Sequence, residues 1–160
     1  MPWIRLSSIN AIVLRVLAEI SRAVGSTGMA AGQSLDIAAA GCEEEVLYLL
    51  EKKFGEMAEC SAVCGGLLGR ANDEEVEALR RYGRSVGVLY KLVDDVLTDS
   101  IEGAGKMRSN ANAVSMLGKD RALELVEELR LKAKKEPEML EEKYGNKVLP
   151  LHSFVDYAVE

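Results

Sequence analysis

The stretch KLVDDVLTDS, residues 91–100, sets Asp94, Asp95 and Asp99 into otherwise apolar sequence. Carboxylates grouped this way are the hard oxygen ligands that magnesium takes, often shared with substrate phosphates. On a helix, side chains four apart share a face, while neighbours are turned about 100° from one another. Asp95 and Asp99 can therefore face the same way, and Asp94 looks along the helix at Thr98. A DDxxD pattern would meet a hydroxyl where its last carboxylate belongs. Lys91 stands four residues before Asp95 and can pair with it. On these residues alone, a solvated helix edge is favoured over a working cation site.

Two further stretches carry groups that could hold a ligand. GSTGMAAGQSLD, residues 25–36, lacks the preceding strand and glycine spacing of a dinucleotide loop. Its glycines and alanines suit close helix contact, but Gln33 and Asp36 lie three apart, on one helical face, and invite a ligand or a polar network. EKKFGEMAECSAVCGGLLG, residues 51–69, puts Cys60 and Cys64 on one face among Ala58, Ser61, Ala62, Gly65 and Gly66. Small residues let another helix pack closely, and cysteine there behaves as a small hydrophobe. A thiol nucleophile would need a base, for which His152 is the only histidine. Packing is the better reading, within the chain or against a partner.

The elements that must position these residues read as helices. A first helix is expected from about Ser8 toward Asp36, loosened by Gly25, Gly28 and Gly32, followed by the loop AAAGCEE. A second spans Glu45 to about Gly69. Asn72 or Asp73 can cap a third, whose buried stripe would be Val76, Leu79, Val86, Tyr90, Val93 and Leu97. IEGAGKMRSNAN reads as a loop. Asp120 would cap a helix bearing Ala122, Leu125, Val126, Leu129 and Ala133, with Pro137 stopping it. A terminal helix covers Leu149 to Val159. No segment alternates with period two, so the fold class is all-α.

Composition narrows the function. With 48% hydrophobic and 29% charged residues, the 160-residue chain is globular and sized for one domain. A net charge of −6 argues against a nucleic-acid groove or an anionic membrane surface. No apolar run reaches the length of a membrane span. The first eighteen residues hold arginine and serine without acids, as transit peptides do, yet VLRVLAEISRAV at 13–24 continues as a helix stripe. Three cysteines and one histidine form neither a disulfide framework nor a structural zinc site.

In order and spacing, these stretches resemble the isoprenyl diphosphate synthase family, specifically its plant geranylgeranyl branch. GMAAGQSLD resembles the GQxxD element, EKKFGEMAECSAVCGGLLG the helix with the KT pair, and RRYGRSVGVLYKLVDDVLTD the second aspartate-rich helix. The resemblance implies an isoprenoid-synthase-type helical bundle, with residues 1–160 forming a single partial domain that matches the C-terminal half of a synthase. In active members, two aspartate-rich motifs hold magnesium on an allylic diphosphate. Nothing here matches the first motif. At the second, Asp94 and Asp95 remain, Thr98 replaces the third aspartate and Lys91 the glutamine of FQxxDDxxD. Lys53 matches the lysine of KT, but Phe54 replaces its threonine, and Lys106 is the one clear lysine left on the shortened loop.

The same departures occur in the non-catalytic small subunits of plant geranyl and geranylgeranyl diphosphate synthases, which KKFGEMAECSAVCGGLL, KMRSN and LPLHSFVDYA also resemble. The resemblance implies a catalytically silent subunit that alters a partner's rate or product length. Asp94 and Asp95 are then a degenerate metal motif, and Gln33, Asp36 and Lys53 are remnants of a substrate site. Cys60 and Cys64, with Ala58, Ser61 and Gly65, would form the interface with a catalytic geranylgeranyl diphosphate synthase, in a heterodimer or a pair of heterodimers. The chain would need no cofactor itself, magnesium belonging to the partner, and it would reside in the plastid, or in the cytoplasm failing a leader. Its rivals are an active magnesium-dependent prenyltransferase and a truncated, non-functional fragment.

Overall fold

The computed structural model describes residues 2–33, 40–102 and 112–159, and every regular element among them is helical. Helix α1 runs Pro2–Val24, α2 Met29–Gln33, α3 Glu43–Leu50 and α4 Glu56–Leu68. Then come α5 (Asp73–Glu102), α6 (Ala113–Leu117), α7 (Lys119–Tyr144) and α8 (Leu149–Tyr157). A π turn, Glu51–Gly55, carries α3 directly into α4, and a 3₁₀ turn, Gly145–Val148, links α7 to α8.

The spine is α5, at 30 residues the longest helix, with α4 on one side and α7 on another. Its start is fixed by a reciprocal cap. Glu75 N–H donates to Asn72 Oδ1 at 2.9 Å, and Asn72 N–H donates to Glu75 Oε2 at 2.7 Å. Three acids in the first turn complement the positive end of the helix dipole. One core cluster sets Val88 and Leu92 of α5 against Leu50 and Leu125; a second sets Tyr82, Val86 and Leu89 against Ala133 and Val155. Leu50, Leu89 and Leu92 are wholly buried, each contributing about 2 kcal/mol relative to exposure.

Helices α4 and α5 approach through glycine. A Cβ on Gly83 would lie 2.6 Å from the Ala58 carbonyl oxygen, and one on Gly87 2.6 Å from that of Phe54. No side chain fits at either point.

The structure corrects several expectations. The first helix starts at Pro2 and ends at Val24, where the chain turns through Gly25–Gly28. A Cβ on Gly28 would sit 2.2 Å from the Ala23 carbonyl oxygen, so only glycine closes that turn. Pro137 does not end α7, which continues to Tyr144. The proline's cost, about 3 kcal/mol in a helix interior, is offset by packing beyond it, where Leu140 joins Ala78 and Val148. Gly118, with φ 82°, rather than Asp120, precedes α7. In the stripe drawn on α5, Val76 and Val86 are buried, but Tyr90 and Leu97 are 61% and 54% exposed. Because α4 and α7 enclose α5 from two sides, its buried surface is not one stripe but includes Ser85, Val88, Leu89 and Leu92.

Candidate functional site: a closed carboxylate pair

Asp94 and Asp95 sit near the C-terminal end of α5, and their neighbourhood decides what they can bind. Lys91 Nζ donates to Asp94 Oδ2 at 2.9 Å and to Asp95 Oδ1 at 2.8 Å. The Asp95 side chain is 3% exposed, and its second oxygen accepts from the Ala113 backbone N–H at 3.0 Å. Ala113 opens α6, so this carboxylate ties the end of the spine to the next helix. Asp94 is 58% exposed on its side chain. Thr98, in the position of a third carboxylate, donates its hydroxyl to the Asp94 backbone carbonyl at 2.7 Å.

Burial works against the Lys91 ammonium, but the hydrogen bonds to Asp95 and Asp94 outweigh it and hold its pKa above the ordinary lysine value. Phe54 lies over the same group, with Nζ 5.5 Å from the ring centroid. Both Asp95 oxygens and one Asp94 oxygen are thus engaged, and the donor set does not suit a magnesium ion, which wants free oxygens around it. No group of three His, Cys, Asp or Glu side chains is arranged for a metal among the described residues. The pairing expected between Lys91 and Asp95 is present, and Asp95 is buried rather than on a solvated edge.

Lys53 lies in the π turn, and α2, which ends at Gln33, packs against that turn. The approach is close. A Cβ on Gly32 would come within 2.9 Å of the Lys52 carbonyl carbon. The structure therefore brings the GQ and KK segments together. Asp36 and Lys106 lie outside the described residues.

Cys60 and Cys64 face α1 within this chain. Their sulfurs are 3.8 Å apart, Cys60 is 5% exposed, and Cys64 Sγ lies 4.0 Å from the Val16 carbonyl oxygen. Burial, with Cys64 beside it, pushes the Cys60 thiol up to about 11, so it is no nucleophile. His152 pairs instead with Glu141 at 3.1 Å, leaving the cysteine without a histidine base. Ser61 and Gly65 are exposed, on another edge of α4. Together with Ala58 they line an apolar groove of about 730 Å³ between α4, α5 and α8, with Tyr82, Leu151 and Phe154 across it.

Sequence reasoning passed over Glu59, the hub of the largest ionic cluster among the described residues. Its carboxylate is 1% exposed and accepts from Arg22 and Arg80 at 2.6 Å and from Arg84 Nε at 2.7 Å. Arg22 also reaches Glu56 at 2.6 Å, and Arg80 reaches Glu19 at 2.6 Å. The cluster joins α1, α4 and α5. Its available signal was two arginines one turn apart, 80 and 84, and two acids three apart, 56 and 59.

Residues 4–147 match the family model described as polyprenyl synthetase. The chain is 48% identical over 151 residues to the heterodimeric geranylgeranyl pyrophosphate synthase small subunit, chloroplastic, of Arabidopsis thaliana, covering 93% of this chain and 43% of that protein. Its fold superposes on a geranyltransferase from Helicobacter pylori with a TM-score of 0.80 at 21% identity, covering 94% of this chain and 52% of that one. The Helicobacter enzyme has also been solved with magnesium and isoprenyl diphosphate. A deletion mutant of the heterotetrameric geranyl pyrophosphate synthase of mint matches with a TM-score of 0.64 at 25% identity, over 94% and 54% of the two chains. The chain spans about half the length of these relatives. The helical architecture and the family match over most of its length place the chain in the polyprenyl synthetase family.

Proposed function

We propose that this chain is a regulatory subunit, without catalytic activity of its own, of a geranylgeranyl diphosphate synthase in plastids. The observation that carries this reading is the state of Asp94 and Asp95. Both Asp95 oxygens and one Asp94 oxygen are engaged by Lys91 and the Ala113 amide, in a chain 48% identical to a small subunit. Diphosphate chemistry depends on dense positive charge and metal around the departing group. In this reading the partner supplies both, and Gln33, Asp36 and Lys53 are remnants of a substrate site. The subunit acts by docking, which re-orders the partner's elongation cavity and so changes its rate or the chain length released.

The docking surface is the exposed edge of α4 at Ser61 and Gly65, continued by Ala58 in the groove. Cys60 and Cys64 support it from beneath by seating α1. Gly65 gives a clean probe, because a Cβ there meets nothing within 4 Å. Gly65→Arg should leave melting unchanged and abolish co-purification with the synthase; undisturbed co-purification would remove this edge from the interface. Function is tested by incorporation of labelled isopentenyl diphosphate with magnesium and an allylic primer. It is measured for this chain, for a plant geranylgeranyl diphosphate synthase and for the mixture. Silence alone with altered rate or chain length in the mixture supports the reading. Turnover by the chain alone would make it an active magnesium-dependent prenyltransferase, and no effect in the mixture would favour a non-functional fragment.

A further inference from the structure

We propose that Lys91, roofed by Phe54, is the resident cation of the Asp94–Asp95 pair, and that these two residues together close a latent divalent-cation site. A carboxylate as buried as Asp95 needs a positive partner within the fold, since an uncompensated buried charge is costly. The available cations are a metal ion or a side chain. Here Lys91 Nζ sits between the two carboxylates at 2.8 and 2.9 Å, bridging them as a metal would. Its remaining exposure is limited by the Phe54 ring, whose face attracts the ammonium at 5.5 Å.

The two side chains belong to different elements, Phe54 to the π turn and Lys91 to α5, and they meet at the Lys91 ammonium. Neither closes the pair alone. Without Lys91, Asp95 would lose its counter-charge while keeping the Ala113 N–H at 3.0 Å, which holds one oxygen and leaves the other without its donor. That arrangement offers a divalent ion two carboxylates and room for water. Without Phe54, the ammonium, already 24% exposed along its side chain, would be more open to solvent and would compete less well with a metal. The inference rests on the same closed pair that supports catalytic silence, and metal binding reads it separately from partner docking.

The test compares the full chain with Lys91→Gln and Lys91→Gln/Phe54→Thr. Manganese binding is followed from the electron paramagnetic resonance signal of the free ion, and melting is recorded with and without magnesium. The wild type should show no site at this pair, and its melting should not respond to magnesium. The double variant should bind manganese at least about tenfold more tightly, the contribution of one close charge pair, and magnesium should raise its melting temperature. Equal binding by wild type and a folded double variant would overturn the proposal. If the variants do not fold, the wild type decides by nuclear magnetic resonance. Manganese broadening of the Asp94, Asp95 and Ala113 amide signals would overturn the proposal. Sharp signals there, beside broadened ones at the exposed acids of α7, would uphold it.

Discussion

Replacing Glu59 with glutamine keeps the shape of the side chain and removes its charge from beneath three guanidinium groups. The carboxylate is 1% exposed, whereas Arg22, Arg80 and Arg84 keep 37%, 22% and 41% of their side-chain exposure. Removing one partner of a buried ion pair costs about 3–5 kcal/mol. The arginines can still reach water and their second partners, Glu56, Glu19 and Glu51, which places the loss near the lower end, about 3 kcal/mol. For a chain of this size that corresponds to about 6–12 °C in melting temperature. Urea unfolding followed by far-ultraviolet circular dichroism measures it without adding salt. Glu59→Gln combined with Arg80→Gln should cost less than the sum of the single changes, because both remove the same contact. A loss below about 1 kcal/mol, the scale of exposed pairs, would refute the idea that the cluster holds α1, α4 and α5 together through one buried charge.

Other outcomes follow from the same geometry. Gly83→Ala and Gly87→Ala drive a methyl into the backbone of α4 and should each cost about 1–3 kcal/mol, typical of overpacking; unchanged urea midpoints would show that the helices separate freely. For Glu19, the Arg80 hydrogen bond is the main influence, and for Glu56, Lys52 and Arg22 outweigh a burial effect of opposite sign. Both carboxyls are held below the ordinary 4.5. Their contribution is therefore complete above that value and lost as pH falls through the depressed range, so urea midpoints should drop on acidification below about pH 4.5. A flat profile there would contradict it. Alkylation read by mass spectrometry should modify exposed Cys42 well before Cys60, whose thiol is buried and raised to about 11; equal rates would mean that α1 does not cover α4.

How much of this was legible in the sequence depends on the range of each interaction. Apolar spacing and the Asn72 cap are local, and they located α5 and the long helix through Cys60 and Cys64. The Lys91–Asp95 pair was legible for the same reason, being one helical turn apart. The Asp95 bond to Ala113 spans 18 residues, and the meeting of Phe54 with Lys91 crosses two elements, so neither leaves a periodic trace. Tyr90 and Leu97 were misplaced because a helix enclosed on two sides has no single stripe. Pro137 misled because propensity describes an isolated helix, whereas here the last two turns of α7 are held by contacts with α5 and the 3₁₀ turn.

The attachment of α1 has a further consequence for how the native state opens. Much of what it sets against the body is polar. Ile12 and Val16 are only partly buried, while Arg15, Glu19 and Arg22 all find charged partners. Those partners differ in depth. The Arg15–Asp73 pair is 53% and 86% exposed and lies within reach of screening ions, but Arg22 ends on a carboxylate that solvent scarcely touches. Ionic strength therefore acts more strongly on the pair at Arg15, midway along the helix, than on the one at Arg22, near its C-terminal end. Rising salt should let the segment before Arg15 fray while the segment around Arg22 stays fixed, giving amide exchange that is graded along α1 and protected last at Ala23.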